Sequence, residues 1–464
     1  MTSTEELYQI FQKHPSVTTD TRRITEGSIF FALKGDTFDG NTFAERALEL
    51  GAAYAVIDNP DFQKNERIYL VDDVLTALQD LARHHRRQFD IPFIAITGSN
   101  GKTTTKELVA AVMNTRYNTL FTKGNFNNHI GVPLTLLQVT DDHEAAIIEM
   151  GANHQGEIDL LCRIAEPTHG LITNIGKAHL EGFGGIEGVK KGKSEMYRWL
   201  AAHNGTLFIN ESEAFLQDLA PVNARKIFYR HVENPLKHTP QYEVRLDSVD
   251  PFLNLSFLSE RGEIMPIHTQ IVGIYNFNNI MTAIAVGKYF KVPTIRIQKA
   301  ITNFVPEMNR SQVVKYGEAT LILDAYNANP SSMRQALLNL AAMPQAKKVA
   351  IIGDMRELGE ESPAEHLEIL NLAKSLNFNN LVTVGTEFGR FYTEGSSNFG
   401  FQISDVGKTS SEIRNHKSEI ENTEGSHFST NLEAKEWFKN QSFDSDTCIL
   451  IKGSRGMKLE VLTQ

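Results

Sequence analysis

The stretch FIAITGSNGKTTT, residues 93–105, decides how the central region of the chain folds. Its apolar first half predicts a buried strand, and the glycines that follow predict a tight turn into a helix. Gly98 and Gly101 allow backbone conformations and close approaches that a Cβ would block. Successive N–H groups at such a turn can face phosphate oxygens, and the helix N-terminus adds its positive end. The stretch therefore predicts a phosphate-binding loop.

The residues after the turn carry the chemistry of a nucleotide site. Lys102 can reach the β- and γ-phosphates, and the hydroxyl of Thr103 can ligate Mg²⁺. The general pattern G-x-x-x-x-G-K-[ST] would place a glycine where Ile96 stands. An ordinary tight turn with an exposed lysine is the alternative, and the loop alone does not separate ATP hydrolysis, phosphoryl transfer and carboxylate activation. The candidate nucleotide contacts are Gly98, Ser99, Asn100, Gly101, Lys102, Thr103 and Thr104.

The composition narrows the class of protein. The chain has 464 residues, 46 basic and 56 acidic side chains, and a net charge of −10. This length predicts about two to four domains, and the acidic balance argues against a nucleic-acid binder. Cys162 and Cys448 stand alone, so no disulfide framework or zinc motif is readable. The N-terminus lacks signal-peptide features and no run of 18 apolar residues occurs, so we expect a cytoplasmic protein with no membrane span.

The pattern along the chain predicts an α/β fold with three domains. Residues 1–87 combine short apolar runs with a helix, which predicts a small α/β domain. Residues 88–308 alternate strands and helices around the phosphate loop, which predicts a parallel sheet, with antiparallel strands added between about 241 and 272. Residues 309–464 predict a second, Rossmann-like α/β domain without a dinucleotide fingerprint. The polar segment 394–432 is predicted to be an exposed, partly flexible excursion.

Polar residues follow several predicted strands of the central region. Glu149 ends the apolar run AAIIEM, and a carboxylate at that edge of a parallel sheet is a candidate Mg²⁺ ligand. His179 follows the next strand. Asparagine amides in a glycine-containing loop suit recognition of polar substrate groups, although a capped turn would use the same residues. The candidates of that loop are Asn125, Asn127 and Asn128.

Together these motifs resemble the Mur ligase family, the ATP-dependent amide-forming enzymes of peptidoglycan precursor synthesis. GSNGKTT, residues 98–104, is similar to that family's own shortened phosphate loop. The resemblance covers essentially the whole chain and implies three domains, for a UDP-sugar, for ATP and for the incoming amine. It extends to GNFNNHIGVP (124–133), EMGANHQGEI (149–158), HLEGFG (179–184), DAYNANPSSM (324–333), GDMRELGEES (353–362) and KGSRGMKLE (452–460).

Within the family, these motifs resemble the member that joins D-alanyl-D-alanine to UDP-N-acetylmuramoyl-tripeptide. The implied reaction phosphorylates the tripeptide carboxylate with ATP, and the dipeptide amine then attacks the acyl phosphate. A diamino acid-adding or glutamate-adding relative is the alternative within the family. A P-loop phosphotransferase or NTPase switch and a non-catalytic nucleotide-sugar-binding protein are the alternatives outside it. We expect a monomer, and the third residue of the tripeptide is not determined.

The resemblance also implies roles for individual residues. Two Mg²⁺ ions are expected, with Thr103, Glu149, His179 and Lys193 as ligands. Lys193 matches the family's carbamylated lysine, and Lys191 is its near neighbour in the sequence. The implied catalytic set is Lys102, Lys193, Glu149, His179 and Arg310.

The remaining implied roles concern nucleotide and substrate binding. Gly273, Asn276 and Asn279 resemble the adenine-side motif, with Tyr275 where the family often has histidine. Arg310 and Asp324 resemble contacts to the γ-phosphate and the ribose. The implied UDP-sugar contacts are Thr21, Arg22, Lys34, Gly35, Asp39, Gly40 and Asn41. The other implied substrate contacts are Asn125, Asn127, Asn128, Tyr326, Asn327, Asn329, Lys452, Ser454 and Arg455.

Overall fold

The computed structural model describes residues 2–233, 242–307, 309–391 and 424–464. Contacts within the chain divide it into two compact units. The first unit comprises Met1–Gly98, Thr105–Thr173 and Lys190–Phe228. The second comprises Ser99–Thr104, Asn174–Val189 and Tyr229–Gln464.

The first unit begins with a helix that the sequence analysis did not predict. Ser3 caps it by accepting from the backbone N–H of Glu6, whose side chain in turn accepts from Ser3. A four-stranded parallel sheet ordered β1-β2-β5-β6 follows, together with the short antiparallel pair β3-β4. The elements are α1 Thr4–Lys13, β1 Val17–Thr18, β2 Ile29–Phe31, β3 Lys34–Gly35, β4 Phe38–Asp39, α2 Ala44–Glu49, β5 Tyr54–Ile57, β6 Ile68–Leu70 and α3 Val74–Arg86.

A second run of parallel strands, ordered β11-β10-β7-β9-β8, builds the rest of the first unit. Strands β7, β9 and β11 are buried along their whole length, as expected for parallel strands that helices cover on both faces. The strands are β7 Phe93–Thr97, β8 Thr119–Phe121, β9 Ala145–Glu149, β10 His169–Ile172 and β11 Thr206–Asn210. The helices along this stretch of chain are α4 Lys102–Met113, α5 Gly131–Leu136, α6 Glu157–Ala165, α7 Leu180–Phe183, α8 Ile186–Lys193, α9 Glu195–Ala202 and α10 Ala214–Leu219.

The connections reverse direction between β7 and β10. From β7 the chain moves to β8 at one edge, whereas from β10 it moves the other way to β11. Ligands of open parallel sheets bind outside the carboxyl ends of strands at such a reversal. The strand order therefore locates the expected site at the ends of β7 and β10.

In the second unit, antiparallel strands β13, β14 and β15 confirm the predicted change of pattern after residue 241. Strand β12, which spans the boundary between the units in sequence, pairs with β13 in parallel. Helix α11 is buried on nearly all sides, which matches its predominantly apolar sequence. The elements are β12 Arg225–His231, β13 Glu243–Asp250, β14 Phe252–Leu258, β15 Ile264–Val272, α11 Asn276–Tyr289 and α12 Thr294–Thr302.

The second unit also contains a six-stranded sheet ordered β16-β17-β21-β18-β19-β20. All its neighbours are parallel except β16, which pairs antiparallel with β17. Its elements are β16 Gln312–Tyr316, β17 Ala319–Asp324, α13 Pro330–Ala342, β18 Lys347–Gly353, α14 Ser362–Ser375, β19 Asn380–Val384, α15 Thr386–Gly389, β20 Glu424–Phe428, α16 Asn431–Lys439 and β21 Thr447–Lys452.

The α/β class with parallel sheets and added antiparallel strands is confirmed. The excursion predicted for 394–432 is wrong at its C-terminal end, because residues 424–428 form an edge strand of the six-stranded sheet. Residues 394–423 of that prediction lie outside the described residues. Among the described helices, none combines the length and the apolar character needed to cross a membrane.

Acid is expected to destabilise the protein through His169, at the start of β10. Burial, and secondarily the Arg225 cation, lower the pKa of His169 to about 4. An unfolded histidine has a pKa near ~6.5, so between that pH and about 4 the unfolded state binds a proton that the folded state does not. The free energy of unfolding is therefore unaffected above pH ~6.5 and falls as the pH is lowered towards about 4. Between pH 7 and pH 5, the free energy of unfolding should fall by about 1–2 kcal/mol less in His169→Gln than in the unmodified protein.

A histidine elsewhere on the protein serves as the control for this measurement. The side chain of His129 is exposed, so His129→Gln should keep the pH dependence of the unmodified protein. Equal pH dependence of all three proteins would contradict the role assigned to His169.

Candidate active site

In the first unit, the carboxyl ends of β7 and β10 are in direct contact. The backbone N–H of Thr173 donates to the carbonyl of Thr97 at 2.9 Å. Gly98 has φ +143, and a Cβ there would overlap the side-chain hydroxyl of Thr173. Only glycine fits this position, as the phosphate-loop prediction requires.

Glu149 ends β9 and is almost fully buried, with 1% of its surface exposed. Its Oε1 accepts from Asn127 Nδ2 at 2.8 Å, and its backbone N–H donates to Thr122 Oγ1 at 2.9 Å. The fully buried Lys106 lies 3.7 Å from Glu149 Oε2 and donates to the carbonyl of Thr122 at 2.6 Å. The amide of Asn127 and the ammonium of Lys106 therefore fix the orientation of this buried carboxylate.

The three asparagines of the loop 125–128 make different contacts. Asn127 contacts Glu149, as described above, whereas Asn128 Oδ1 accepts from the N–H of Gly131, the first residue of α5, at 2.9 Å. Asn125 is exposed, and its carbonyl accepts from Asn127 N at 2.7 Å. Asn125 and Asn128 are both exposed, whereas Asn127 is half-buried.

Lys193 is the last residue of α8 and only 1% exposed. Its Nζ donates to the carbonyl of Ala152, in the loop after β9, at 3.0 Å. Glu195 binds the same loop and the start of α6, accepting from Gly156 N at 2.7 Å and Asp159 N at 3.0 Å. The segment that resembles the carbamylation motif thus packs on the loop that follows Glu149, while Lys191 is exposed.

In the second unit, the phosphate loop is bound to the segment that follows β10. Ser99 N donates to the carbonyl of Asn174 at 3.0 Å, and Ser99 Oγ accepts from Gly176 N at 2.9 Å. Asn100 N donates to Asn174 Oδ1 at 3.0 Å. Asn100 Oδ1 accepts from Asn329 Nδ2 at 2.7 Å, and Asn329 caps α13. The loop therefore contacts the YNANP segment directly.

Lys102 and Thr103 begin α4, at the positive end of that helix. Lys102 Nζ donates to the carbonyl of Ser99 at 3.2 Å, and Thr103 and Thr104 follow in the first turn. Gly101 has φ +76, and a Cβ there would lie 2.5 Å from Asn279 Oδ1. The first turn of the helix is thus packed against the adenine-side motif.

That motif is braced by its own side chains. Asn279 Nδ2 donates to Asn276 Oδ1 at 2.8 Å, and Asn276 Nδ2 donates to the carbonyl of Val272 at 2.8 Å. Gly273 has φ +86 and lies under the ring of Tyr275. The hydroxyls of Tyr275 and Ser311 are 2.7 Å apart, so the tyrosine that stands in the usual histidine position contacts the chain beside Arg310.

Asp324 ends β17 and is held on both oxygens. Its Oδ1 accepts from Ser311 N at 3.0 Å, and its Oδ2 pairs with the buried Lys452 at 2.6 Å. Lys452 also donates to the carbonyl of Asn327 at 3.2 Å. The ammonium of Lys452 therefore positions Asp324 rather than standing open at the surface.

Arg310 and Arg455 both approach Tyr326. The guanidinium carbon of Arg310 lies 3.7 Å from the ring centroid of Tyr326, and that of Arg455 lies 5.8 Å away. Arg455 also pairs with Glu460 at 2.9 Å. The buried hydroxyl of Ser454 accepts from Arg356 N at 3.0 Å, whereas Asn327 is exposed.

His179 contacts a residue of the GDMRELGEES segment. Its Nδ1 lies against Glu357 Oε2, and this contact lowers the pKa of the Glu357 carboxyl. Two residues earlier, Lys177 pairs with Glu365 at 2.5 Å, and its backbone N–H donates to Ser331 Oγ at 3.2 Å. The segment that binds the phosphate loop therefore also contacts Ser331, Glu357 and Glu365.

Most of the predicted UDP-sugar contacts lie in or directly after a small hairpin of the first unit, formed by β3 and β4. Lys34 pairs with Asp58 at 2.8 Å. Asn41 is fully buried: its Nδ2 donates to Asp39 Oδ1 at 2.6 Å, and its Oδ1 accepts from Asp58 N at 3.0 Å. Gly35 and Gly40 lie where a Cβ would collide with Phe38 and with the backbone of Ala32 and Leu33. Thr21 and Arg22 follow Asp20, which pairs with the largely exposed Arg22 at 2.8 Å.

Sequence reasoning missed four residues that the structure brings to these sites: Lys106, Glu195, Lys177 and Glu357. Lys106 follows Lys102 by one helical turn, so its place on the same helix face was readable. Glu195 lies two residues from Lys193, but its capping of a distant helix has no sequence signature. Lys177 and Glu357 depend on contacts between segments far apart in the chain.

The predicted magnesium ligands divide between the two units. Glu149 and Lys193 belong to the first, and Thr103 and His179 belong to the second. In the described ranges, no three His, Cys, Asp or Glu side chains are grouped as a metal site. The predicted set contains only two residues of those types, Glu149 and His179, so the expectation of two Mg²⁺ ions stays a prediction.

Comparison with known proteins identifies the family. Residues 15–86 match the model described as Mur ligase family, catalytic domain, residues 96–287 match Mur ligase middle domain, and residues 309–455 match Mur ligase, glutamate ligase domain. The UDP-N-acetylmuramoyl-tripeptide–D-alanyl-D-alanine ligase of Bacillus subtilis (strain 168) is 33% identical over 452 residues, which are 97% of this chain and 92% of that protein.

Two further similarities agree with this assignment. The ligase of the same name from Escherichia coli (strain K12) is 35% identical over 375 residues, 80% of this chain and 81% of that protein. A crystal structure of MurF from Acinetobacter baumannii superposes with a TM-score of 0.79 at 28% identity, covering 98% of this chain and 96% of that one. This chain therefore belongs to the Mur ligase family.

Proposed function

We propose that this chain joins D-alanyl-D-alanine to UDP-N-acetylmuramoyl-tripeptide in an ATP-dependent reaction that releases ADP and phosphate. The similarity to ligases of that name over nearly the full chain supports this substrate pair. The observation that carries the proposal is the hydrogen bond between Asn100 of the phosphate loop and Asn329 of the YNANP segment. It links the loop predicted to bind ATP to the segment assigned to the incoming amine.

Activation of the carboxylate explains why ATP is required. A carboxylate resists attack by an amine because it is anionic and lacks a good leaving group. The γ-phosphoryl group of ATP is transferred to a carboxylate oxygen, and its bond to the bridging oxygen breaks, so that ADP leaves. This transfer removes both obstacles. The dipeptide amine then forms a bond to the carbonyl carbon and loses a proton as the carbon–oxygen bond to phosphate breaks.

The basic side chains neutralise the charge that approaches during transfer. Lys102 starts the helix behind the phosphate loop and can extend from Ser99 to the β- and γ-phosphates. Arg310 lies on the ring of Tyr326, and its Nε is buried without a hydrogen-bond partner among the described residues. A phosphate oxygen would supply that partner, which supports its assignment as a γ-phosphate contact.

The side chains assigned to magnesium are of the types that bind this ion. Glu149, the hydroxyl of Thr103 and a carbamate on Lys193 supply the oxygen ligands that Mg²⁺ prefers, and His179 supplies a nitrogen. When bound, the ions would neutralise phosphate charge during transfer. Lys106 and Asn127 hold the Glu149 carboxylate in place for this role.

The proposal includes carbamylation of Lys193. The ammonium of Lys193 first loses a proton. CO₂ then adds to the neutral amine, a bond forms between Nζ and carbon, and a second proton leaves, so that the cationic side chain becomes an anion. The burial of Lys193 beside the loop after Glu149 supports this assignment over the exposed Lys191. Mass spectrometry under ¹³CO₂, with trapping of the labile group, would detect the modification at residue 193.

We further propose three domains with boundaries 1–87, 88–308 and 309–464. The three family matches fall inside these ranges. In the first domain, the hairpin with Lys34 and Asp39, together with the exposed Arg22 of the turn 21–23, would bind the UDP-sugar, while the buried Asn41 holds the hairpin. In the third, Tyr326, Asn327 and Arg455 would contact substrate, and Lys452 and Ser454 would position them.

The test of the function is a direct assay. Purified protein with ATP, Mg²⁺, the UDP-tripeptide and D-alanyl-D-alanine should give the UDP-pentapeptide, detected by mass, with one phosphate per amide. A panel of glutamate, diaminopimelate, lysine and D-alanyl-D-alanine separates this function from that of a relative with a different amine. Phosphate release with another amine alone, or without any amine, would refute the proposed substrate.

A further inference from the structure

We propose that Arg356 binds the carboxylate of D-alanyl-D-alanine in a cavity of the second unit and thereby selects an amine substrate that ends in a free carboxylate. Arg356 follows β18 in the segment GDMRELGEES and lies outside the set of residues assigned above to ATP, metal or substrate. The inference rests on the proposed function, because it takes this dipeptide as the substrate.

The cavity lies where parallel sheets commonly bind their ligands. It has a volume of about 910 Å³. Its lining includes Asp354, Gly385 and Ser429, which directly follow β18, β19 and β20, and Met457, which follows β21. Ligands of open α/β sheets bind outside the carboxyl ends of the strands, and ligand cavities typically measure about 300–1,000 Å³. The cavity therefore has the place and the size of a ligand site.

Most of the charged side chains that line the cavity are acidic, so an anion has few places to bind. Asp354 accepts from the backbone N–H groups of Glu387 and Phe388 at 2.9 and 3.0 Å. Of the two arginines in the lining, Arg390 pairs with Glu387 at 2.9 Å. Among the side chains that the structure describes, no carboxylate pairs with Arg356. An anionic ligand in this cavity would therefore pair with Arg356.

Arg356 is positioned by the segment KGSRG, residues 452–456. Its backbone N–H donates to the buried hydroxyl of Ser454 at 3.0 Å. Its guanidinium lies over Gly456, where a Cβ would be 2.5 Å from the guanidinium carbon. The same segment is assigned above to the substrate. Arg356 thus presents its planar set of N–H donors beside the residues assigned to the incoming dipeptide.

The chemistry of the three substrates identifies the anion. The tripeptide carboxylate is converted to an amide, and the phosphates of ATP are assigned to residues 98–104. The carboxylate of D-alanyl-D-alanine, in contrast, stays anionic from binding to product. A guanidinium can bind it through two parallel N–H···O bonds. This contact would distinguish the dipeptide from an amine without a carboxylate, and from a single amino acid whose carboxylate lies closer to the amine.

The test compares D-alanyl-D-alanine with its C-terminal amide at saturating ATP and UDP-tripeptide. For the unmodified protein, KM for the acid should be about 10–100-fold lower than KM for the amide, because the amide lacks the charged partner of Arg356. Arg356→Ala should raise KM for the acid by the same factor and abolish the preference, with kcat within about threefold. Arg356→Lys should restore part of the preference, because it returns the charge without the planar donors.

Two further variants separate position from charge. Gly456→Ala places a methyl group where the guanidinium lies, so KM for the acid should rise, but by less than in Arg356→Ala. Arg334→Ala removes an equal charge from α13, where Arg334 pairs with Glu368. This control should keep both KM and the preference for the acid. Thermal unfolding shows whether each variant is folded.

The proposal is overturned if the unmodified protein uses the amide as readily as the acid, or if Arg356→Ala keeps the preference. An equal rise of KM for acid and amide would also overturn it, since that result indicates a structural role alone. Calorimetric titration of the dipeptide, with UDP-tripeptide and a non-hydrolysable ATP analogue present, measures binding without turnover. Binding that depends on Arg356 but gives no product with ATP would refute the proposed ligase and support the site. Product formation with an affinity independent of Arg356 would refute the site alone, and absence of both binding and product would refute both.

Discussion

Replacement of Lys193 by alanine should lower the rate of amide formation by at least about 100-fold, because it removes the proposed carbamate ligand from the metal site. Small carboxylic acids at high concentration should restore part of the rate, since they can enter the space left by the side chain and supply an anionic oxygen. The rate is measured as UDP-pentapeptide formed and as phosphate released. ATP affinity measured without metal should change little, because Lys102 and the loop backbone are intact.

The neighbouring Lys191 provides the matched control for this result. It lies two residues away on the same helix but is exposed, so Lys191→Ala should keep nearly the full rate. Thermal unfolding of both variants is needed, since loss of a buried side chain also costs stability. A folded Lys193→Ala protein with a near-normal rate would refute the carbamate assignment. So would a rate that carboxylic acids fail to raise while Lys193→Arg restores it.

The sequence predicted those strands that are buried on both faces of a sheet. Runs such as FIAIT and TCILIK are continuous apolar segments between turn residues, and each forms a fully buried strand. The elements that were missed are of a different kind. Strands β16 and β20 are the two edges of the six-stranded sheet, and β12 is largely polar and partly exposed. An edge strand pairs on one side only and often carries polar residues, so it lacks the apolar pattern that predicts a strand.

Local motifs predicted the glycine turn after β7 and the position of Glu149 at the end of β9, because glycines and a carboxylate after an apolar run are visible in the sequence. The environment of His179 was not readable, because Glu357 follows it by 178 positions and no local pattern links them. Lys452 shows a similar limit. The sequence places it at a strand end, which suggests an open cation, yet the adjacent parallel strand β17 presents Asp324 to it. Such pairings follow from strand order, which the sequence alone does not determine.

Replacement of Gly101 by alanine should reduce ATP affinity by at least about 100-fold, or about 2.7 kcal/mol. Gly101 has φ +76, and a Cβ would lie 2.5 Å from Asn279 Oδ1. The loop must therefore shift, which turns its N–H groups away from the phosphates and displaces the pair formed by Asn279 and Asn276. Titration with ATP, followed by tryptophan fluorescence or calorimetry, measures the change, and stability should fall as well.

Gly317 provides a control that distinguishes the effect of backbone strain from the effect of the collision. It has φ +58 in the turn between β16 and β17, but nothing lies within 4 Å of a Cβ there. Gly317→Ala should therefore cost only the left-handed backbone penalty, about 1–2 kcal/mol of stability, and leave ATP affinity unchanged. A double variant that combines Gly101→Ala with Asn279→Ala has no collision at this point. It should be more stable than Gly101→Ala alone, but it should not bind ATP more tightly. If Gly101→Ala alone binds ATP as tightly as the unmodified protein, the backbone of residues 98–104 does not bind the phosphates, and the interpretation of this loop is wrong.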